Sequence, residues 1–143
     1  MLHSTVMSAI RFTLLFSLLL VSHVAADAAG EANRLMNLLK TAIELNNIHA
    51  LSGFVSIGFT YDTCNGVLSY DQFVKDLTQL ADPPQSISTN WSTRDAQLVN
   101  GVVQFVLHFN DQSPVAYADI QFEAKQNGNN VFMLTSGKSM ACR

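Results

Sequence analysis

Cysteine, proline, tryptophan and charge are all scarce in this chain of 143 residues, which has two cysteines, three prolines, one tryptophan and only 13% Asp, Glu, Lys and Arg. Two cysteines exclude a disulfide-dense scaffold and a zinc site built on cysteine clusters. The few cations are scattered, so there is no basic patch of the kind that binds a nucleic-acid backbone. The longest apolar run, Phe12 to Val21, falls short of the roughly 20 residues that span a bilayer. No lipidation motif, basic amphipathic helix, G-x-S-x-G elbow, phosphate-binding loop or dinucleotide fingerprint occurs. Membrane anchoring, nucleotide chemistry and serine hydrolysis therefore have no support.

What is present begins with residues 1–26, which read as a secretory signal peptide. Arg11 supplies the positive n-region, Phe12 to Val21 the apolar segment, and Val24-Ala25-Ala26 the small-residue cleavage pattern. The expected mature chain, residues 27–143, is secreted into an oxidising extracellular compartment. It is long enough for one domain with one core. Seven cations and eleven acids leave it a net charge of −4. A chain 48% apolar and poor in ions covers the rest of its surface with Asn, Gln, Ser and Thr.

Hydrophobic periodicity assigns the elements. Leu35, Leu38, Leu39, Ala42 and Ile43 share one side of a helix from Glu31 to Asn46. A short second helix from Ile48 to Ser56 runs into a strand from Ile57 to Asp62, and Cys64-Asn65-Gly66 makes a tight turn. Ser69 and Gln72 form an S-x-x-Q capping box ahead of the stripe Tyr70, Phe73, Val74, Leu77 and Leu80, with Asp71 placed for the helix dipole. Asp82-Pro83-Pro84 ends this helix. Period two then takes over, with strands expected at Ser86–Ser92, Leu98–Phe109, Val115–Lys125 and Val131–Cys142. The turns between them fall at Thr93-Arg94-Asp95, Asn110 to Pro114 and Asn127 to Asn130. Helices first and strands after indicate an α+β domain, with helices packed on one face of a curved, mostly antiparallel sheet.

Pairing Phe109 with Ala116, Leu107 with Ala118, Phe105 with Ile120 and Val103 with Phe122 gives one wholly apolar face, which should meet the helices. In this register Gly101 stands opposite Ala124. The reverse carries His108 with Tyr117, Gln104 with Gln121, and Asp119 opposite Val106, a polar surface facing water or a second subunit in a homodimer.

The element order, the stretch Tyr61-Asp62-Thr63-Cys64-Asn65-Gly66, the helix around Phe73 and Leu77, and three long C-terminal strands ending at Cys142 together resemble the nuclear transport factor 2-like fold. Cys64 before Gly66 and the terminal Cys142 are similar to small secreted members known from nematodes. The resemblance implies a cone of helices on sheet, related in arrangement to cystatins, whose mouth can hold a small ligand. It places the strand around Cys64 beside the last strand, which implies a Cys64–Cys142 disulfide. The superfamily hosts isomerases, dehydratases, transport factors and domains without activity.

Function must come from the residues. Phe54, Phe59, Tyr61, Phe73 and Trp91 are the candidate lining of an apolar ligand site. An isomerase-like site needs a carboxylate and a hydroxyl donor in the cone. Tyr61 and Asp62 are of the right types, but as strand neighbours they point to opposite faces. His49 and His108 are too far apart in sequence for a short metal motif, and no metal or other cofactor is expected. His108, Tyr117 and Asp119 form a polar constellation on the reverse face. Asn90-Trp91-Ser92 is an N-glycosylation sequon. Gln97-Leu98-Val99-Asn100-Gly101 matches the Q-x-V-x-G hairpin of cystatins, inhibitors of papain-type proteases, a match roughly a few per cent of such chains make by chance. The reading that follows is a secreted, non-enzymatic domain that binds a small apolar ligand or an extracellular protein. The competing functions are a cystatin-like inhibitor and an isomerase- or dehydratase-like enzyme.

Overall fold

A computed structural model describes residues 27–80, 90–110 and 119–140, without the side chains of residues 48 and 78–80. Residues 27–44 form helix α1, whose buried stripe of Ala28, Ala32, Leu35, Met36, Leu39 and Ala42 keeps the 3–4 spacing of a core-facing helix. Leu38, expected on that stripe, sits at its edge and is 38% exposed. A 3-10 turn, η1 (Ile48–Gly53), leads into β1 (Val55–Thr63) and β2 (Gly66–Ser69). The Cys64-Asn65 turn between them is held by Thr63, whose hydroxyl donates to the Gly66 carbonyl and accepts from the Asn65 N–H. Helix α2 (Tyr70–Leu80) starts at the expected capping box: the Ser69 N–H donates to Gln72 Oε1 at 2.9 Å, and the Gln72 N–H donates to Ser69 Oγ at 3.4 Å.

The remaining strands are β3 (Trp91–Val99), β4 (Val102–Phe109), β5 (Ile120–Gln126) and β6 (Phe132–Ser139), in a six-stranded sheet of order β2-β1-β6-β5-β4-β3. Among the described strands, only the β1–β6 pair is parallel. The helices cover one face. Arg34 fixes α1 to the sheet, donating to the Phe132 carbonyl at 3.0 Å while its Nε donates to Glu31 at 2.8 Å.

Three expectations are corrected. The Thr93-Arg94-Asp95 turn is instead part of β3: Asp95 has φ 56° and the β3–β4 register shifts between Arg94 and Gln97, so the turn-like residues form a bulge. The turn lies further on, at Asn100-Gly101, with φ 51° and 79°, the left-handed pair of a two-residue type I′ hairpin closed by Val99 and Val102. Hence Leu98 belongs to β3 and Gly101 does not face Ala124, whose partner on β4 is Val103. The β4–β5 register is displaced by two residues from the expected one, with Phe105 opposite Phe122 and Leu107 opposite Ile120. An even shift preserves the faces, so Val103, Phe105, Leu107, Ile120, Phe122 and Ala124 are buried against the helices as the alternation requires. The strands expected at Ser86–Ser92 and Val115–Lys125 begin, among the described residues, at Trp91 and Ile120. The signal segment 1–26, Tyr117 and Cys142 lie outside the described residues.

Candidate functional site

The buried set is wholly apolar among the described residues. Each large member, such as Phe105, Phe122 or Leu134, contributes roughly 1.5–3 kcal/mol by leaving water. Between the helices and the sheet this packing is incomplete, leaving a cavity of about 130 Å3. Helix α1 supplies Leu39 and Ile43 to its wall, and the β1–β2 hairpin supplies Tyr61 and Leu68. Helix α2 supplies Phe73, Asp76 and Leu77, while Trp91, Leu107, Phe109, Ile120 and Phe122 form the sheet side. The rings set each other's orientation. Trp91 meets Phe109 edge to face, with centroids 5.9 Å apart and planes at 89°, and Tyr61 lies 5.9 Å from Phe73.

Of the residues expected to line a ligand site, Tyr61, Phe73 and Trp91 are in this wall. Phe59 is not. It is 1% exposed and packs behind Phe73 at 4.7 Å, so it supports the wall from within the core. Phe54 is also buried and belongs to a different depression, shared with Leu38, Thr41 and Leu45 at the end of α1. Asp62 is exposed on the other face of β1 from Tyr61, as strand alternation dictates. The acid that shares the cavity with Tyr61 is Asp76, which sequence reasoning missed. Its signal was present: Asp76 is three residues beyond Phe73 and so lies on the same side of α2.

Gly137 of β6 shapes this wall. A Cβ at that position would come within 2.9 Å of both the Phe122 and Tyr61 rings, so only glycine lets the two aromatics close over the strand.

On the opposite face of the sheet, the two-residue register shift brings His108 to Asp119: Nδ1 lies 2.7 Å from Oδ1, and Arg94 pairs with Oδ2. The hydrogen bond from His108, with the positive charge of Arg94 added, holds the Asp119 carboxyl below its ordinary range against an opposing effect of burial. All three side chains remain partly exposed. Gln104 and Ser136 donate to Glu123, at 2.9 and 3.2 Å, further along the same face.

Elsewhere, His49 is exposed on η1. Asn90 is exposed just before β3, where its backbone and side-chain carbonyls accept from Asn110. Gln97 to Gly101 form the exposed end of the β3–β4 hairpin. Cys64 is exposed in the β1–β2 turn and is not a free thiol, and its Sγ lies 3.9 Å from Ser139 Oγ.

The same architecture recurs in solved structures of low sequence identity. An NTF-2 like protein of unknown function from Silicibacter pomeroyi is 12% identical, with 79% of this chain and 94% of that one covered at a TM-score of 0.59. A protein of unknown function with a cystatin-like fold from Nostoc punctiforme is 8% identical, covering 76% and 86% at 0.54. An NTF2-like protein from Cytophaga hutchinsonii is 10% identical, covering 75% and 92% at 0.51. No curated protein matches the chain significantly. At these identities the structural likeness speaks for the fold alone, and the sequence match settles the family: the model of the NTF2-like domain spans residues 30–143, and the chain belongs to that family.

Proposed function

We propose that this protein is a secreted, non-catalytic binding domain that holds a small apolar ligand between its helices and its sheet. The observation that carries the reading is the cavity itself, about 130 Å3 with an aromatic and aliphatic wall. An apolar pocket of this size takes an apolar guest readily, because filling it restores contacts that the unfilled wall forgoes. Secretion is supported by the leader-like residues 1–26, and by a Cys64 that is not a free thiol. In this reading Cys142 is its partner and the exposed Asn90 sequon can carry a glycan.

Trp91 is the sole tryptophan and lies in the cavity wall, so its fluorescence is a direct reporter. Titration with toluene should change Trp91 emission saturably, and Leu68→Phe, which adds bulk to the wall, should abolish the change while the fold survives. A linear, unsaturable response in the unmodified protein would overturn the binding reading.

A second reading has one specific observation in its favour: Tyr61 and Asp76 line the same cavity, the hydroxyl and carboxylate an isomerase-like site needs. Turnover of a β,γ-unsaturated ketone that vanishes in both Tyr61→Phe and Asp76→Asn would replace the non-catalytic reading with this one.

A further inference from the structure

The cavity has a polarity that narrows its ligand to a chemical class. We infer that its occupant is a small arylalkylamine, with one aromatic ring among the apolar side chains and an ammonium group on Asp76. This rests on the binding reading above and adds the identity of the guest.

Size sets the first limit. A cavity of about 130 Å3 is close to the roughly 150 Å3 void that admits benzene, so a single ring fits it. The wall sets the second. Tyr61, Phe73, Trp91, Phe109 and Phe122 present ring faces and edges to the space, and aromatic guests gain most from offset or edge-to-face contact with such groups. Charge sets the third. Asp76 is the one acidic or basic side chain, Tyr61's phenol aside, among the described residues of the wall, and it is exposed. An exposed carboxyl group is negative at neutral pH, so it repels a ligand carboxylate and attracts an ammonium group through a charge-assisted hydrogen bond. A ring in the apolar space with a short chain reaching the mouth puts each part of the molecule against its complement.

The probes are phenethylamine, its neutral analogue 2-phenylethanol and the anionic 3-phenylpropionate, titrated into the intact protein and followed by Trp91 emission and by NMR shifts. The amine should bind about tenfold more tightly than the alcohol, and the acid more weakly than either. Asp76→Asn should remove the amine's advantage over the alcohol. Asp71→Asn makes the same charge change on the same helix outside the cavity wall, and should leave the amine's advantage intact. Equal binding of amine and alcohol, or an amine advantage that survives Asp76→Asn, overturns this inference and leaves the apolar-ligand reading standing. Failure of all three probes to bind overturns both.

Discussion

Gly137 shows how one missing methyl group shapes the site. Its neighbours Phe122 and Tyr61 belong to the cavity wall, and each ring approaches to where a Cβ would collide at 2.9 Å. Gly137→Ala should therefore cost about 1–3 kcal/mol by overpacking, seen as a lower urea midpoint, and should weaken toluene binding because the displaced rings enter the cavity. A variant as stable as the parent with unchanged binding would show that the rings relax freely. Asp119 makes a different point. Its folded-state pKa is depressed by His108 and Arg94, so the stabilisation is present above the ordinary Asp value of 3.8 and is lost as pH falls below it through the folded-state value. Because the partners are partly exposed, its worth at neutral pH is below about 1 kcal/mol. Urea unfolding of the parent and Asp119→Asn should differ by that amount at pH 6, and the difference should shrink as pH falls below 3.8. A difference that does not change with pH would assign it to something other than charge.

At the scale of elements, helices were more legible than strands because their ends carry chemistry of their own. The Ser69–Gln72 box announces α2 in the sequence and forms in the structure, so Ser69→Ala should cost about 1 kcal/mol of stability, measurable by thermal melting. Strand alternation is weaker evidence, since it determines which face a residue occupies but not its partner. That is why the faces of β4 and β5 could be read while their register was displaced by an even step. Thr93-Arg94-Asp95 was misplaced for a related reason. A bulge and a turn can both be built on a residue at positive φ, as at Asp95, and the residues that supply it do not distinguish the two. The true turn, Asn100-Gly101, was obscured by the apolar Leu98 and Val99 before it and Val102 and Val103 after it, which read as one long strand. This turn also bears on the cystatin-like segment. Its asparagine and glycine are the pair a type I′ hairpin demands, which accounts for Gly101, one of the motif's three fixed positions, without invoking a protease. Gly101→Ala should destabilise the domain by about 1–2 kcal/mol, since left-handed backbone disfavours a Cβ, and the parent should not inhibit papain. Stoichiometric inhibition of papain that is lost in a folded Gly101→Glu variant would establish the inhibitor reading instead.

At the scale of the whole molecule, the sheet order bears on the expected Cys64–Cys142 pairing. β1 and β6 are parallel neighbours with Asp62 opposite Lys138, so both strands finish at the same end of the sheet. Cys64 follows Asp62 by two residues and Cys142 follows Lys138 by four, and the approach of Ser139 Oγ to Cys64 Sγ shows that the chain already converges there. The family likeness, the α+β class and the helix-facing sheet were all legible before the structure. Asp76 in the cavity wall was not, because a lone acid beside an apolar stripe looks like any solvated helix residue until the sheet is placed against it. The convergence of β1 and β6 yields the largest stability effect expected of this protein. A Cys64–Cys142 bridge closes a loop of about 80 residues and, by restricting the unfolded chain, should contribute roughly 4 kcal/mol, less if the bond is strained. The protein, produced through an oxidising secretory pathway and unfolded without reductant, should show no reactive thiol, and Cys64→Ser/Cys142→Ser should lower the urea midpoint accordingly without moving the cavity's toluene affinity, since neither residue is in the described wall. Two reactive thiols per chain would refute the bridge, and with it the strongest residue-level support for an oxidising destination.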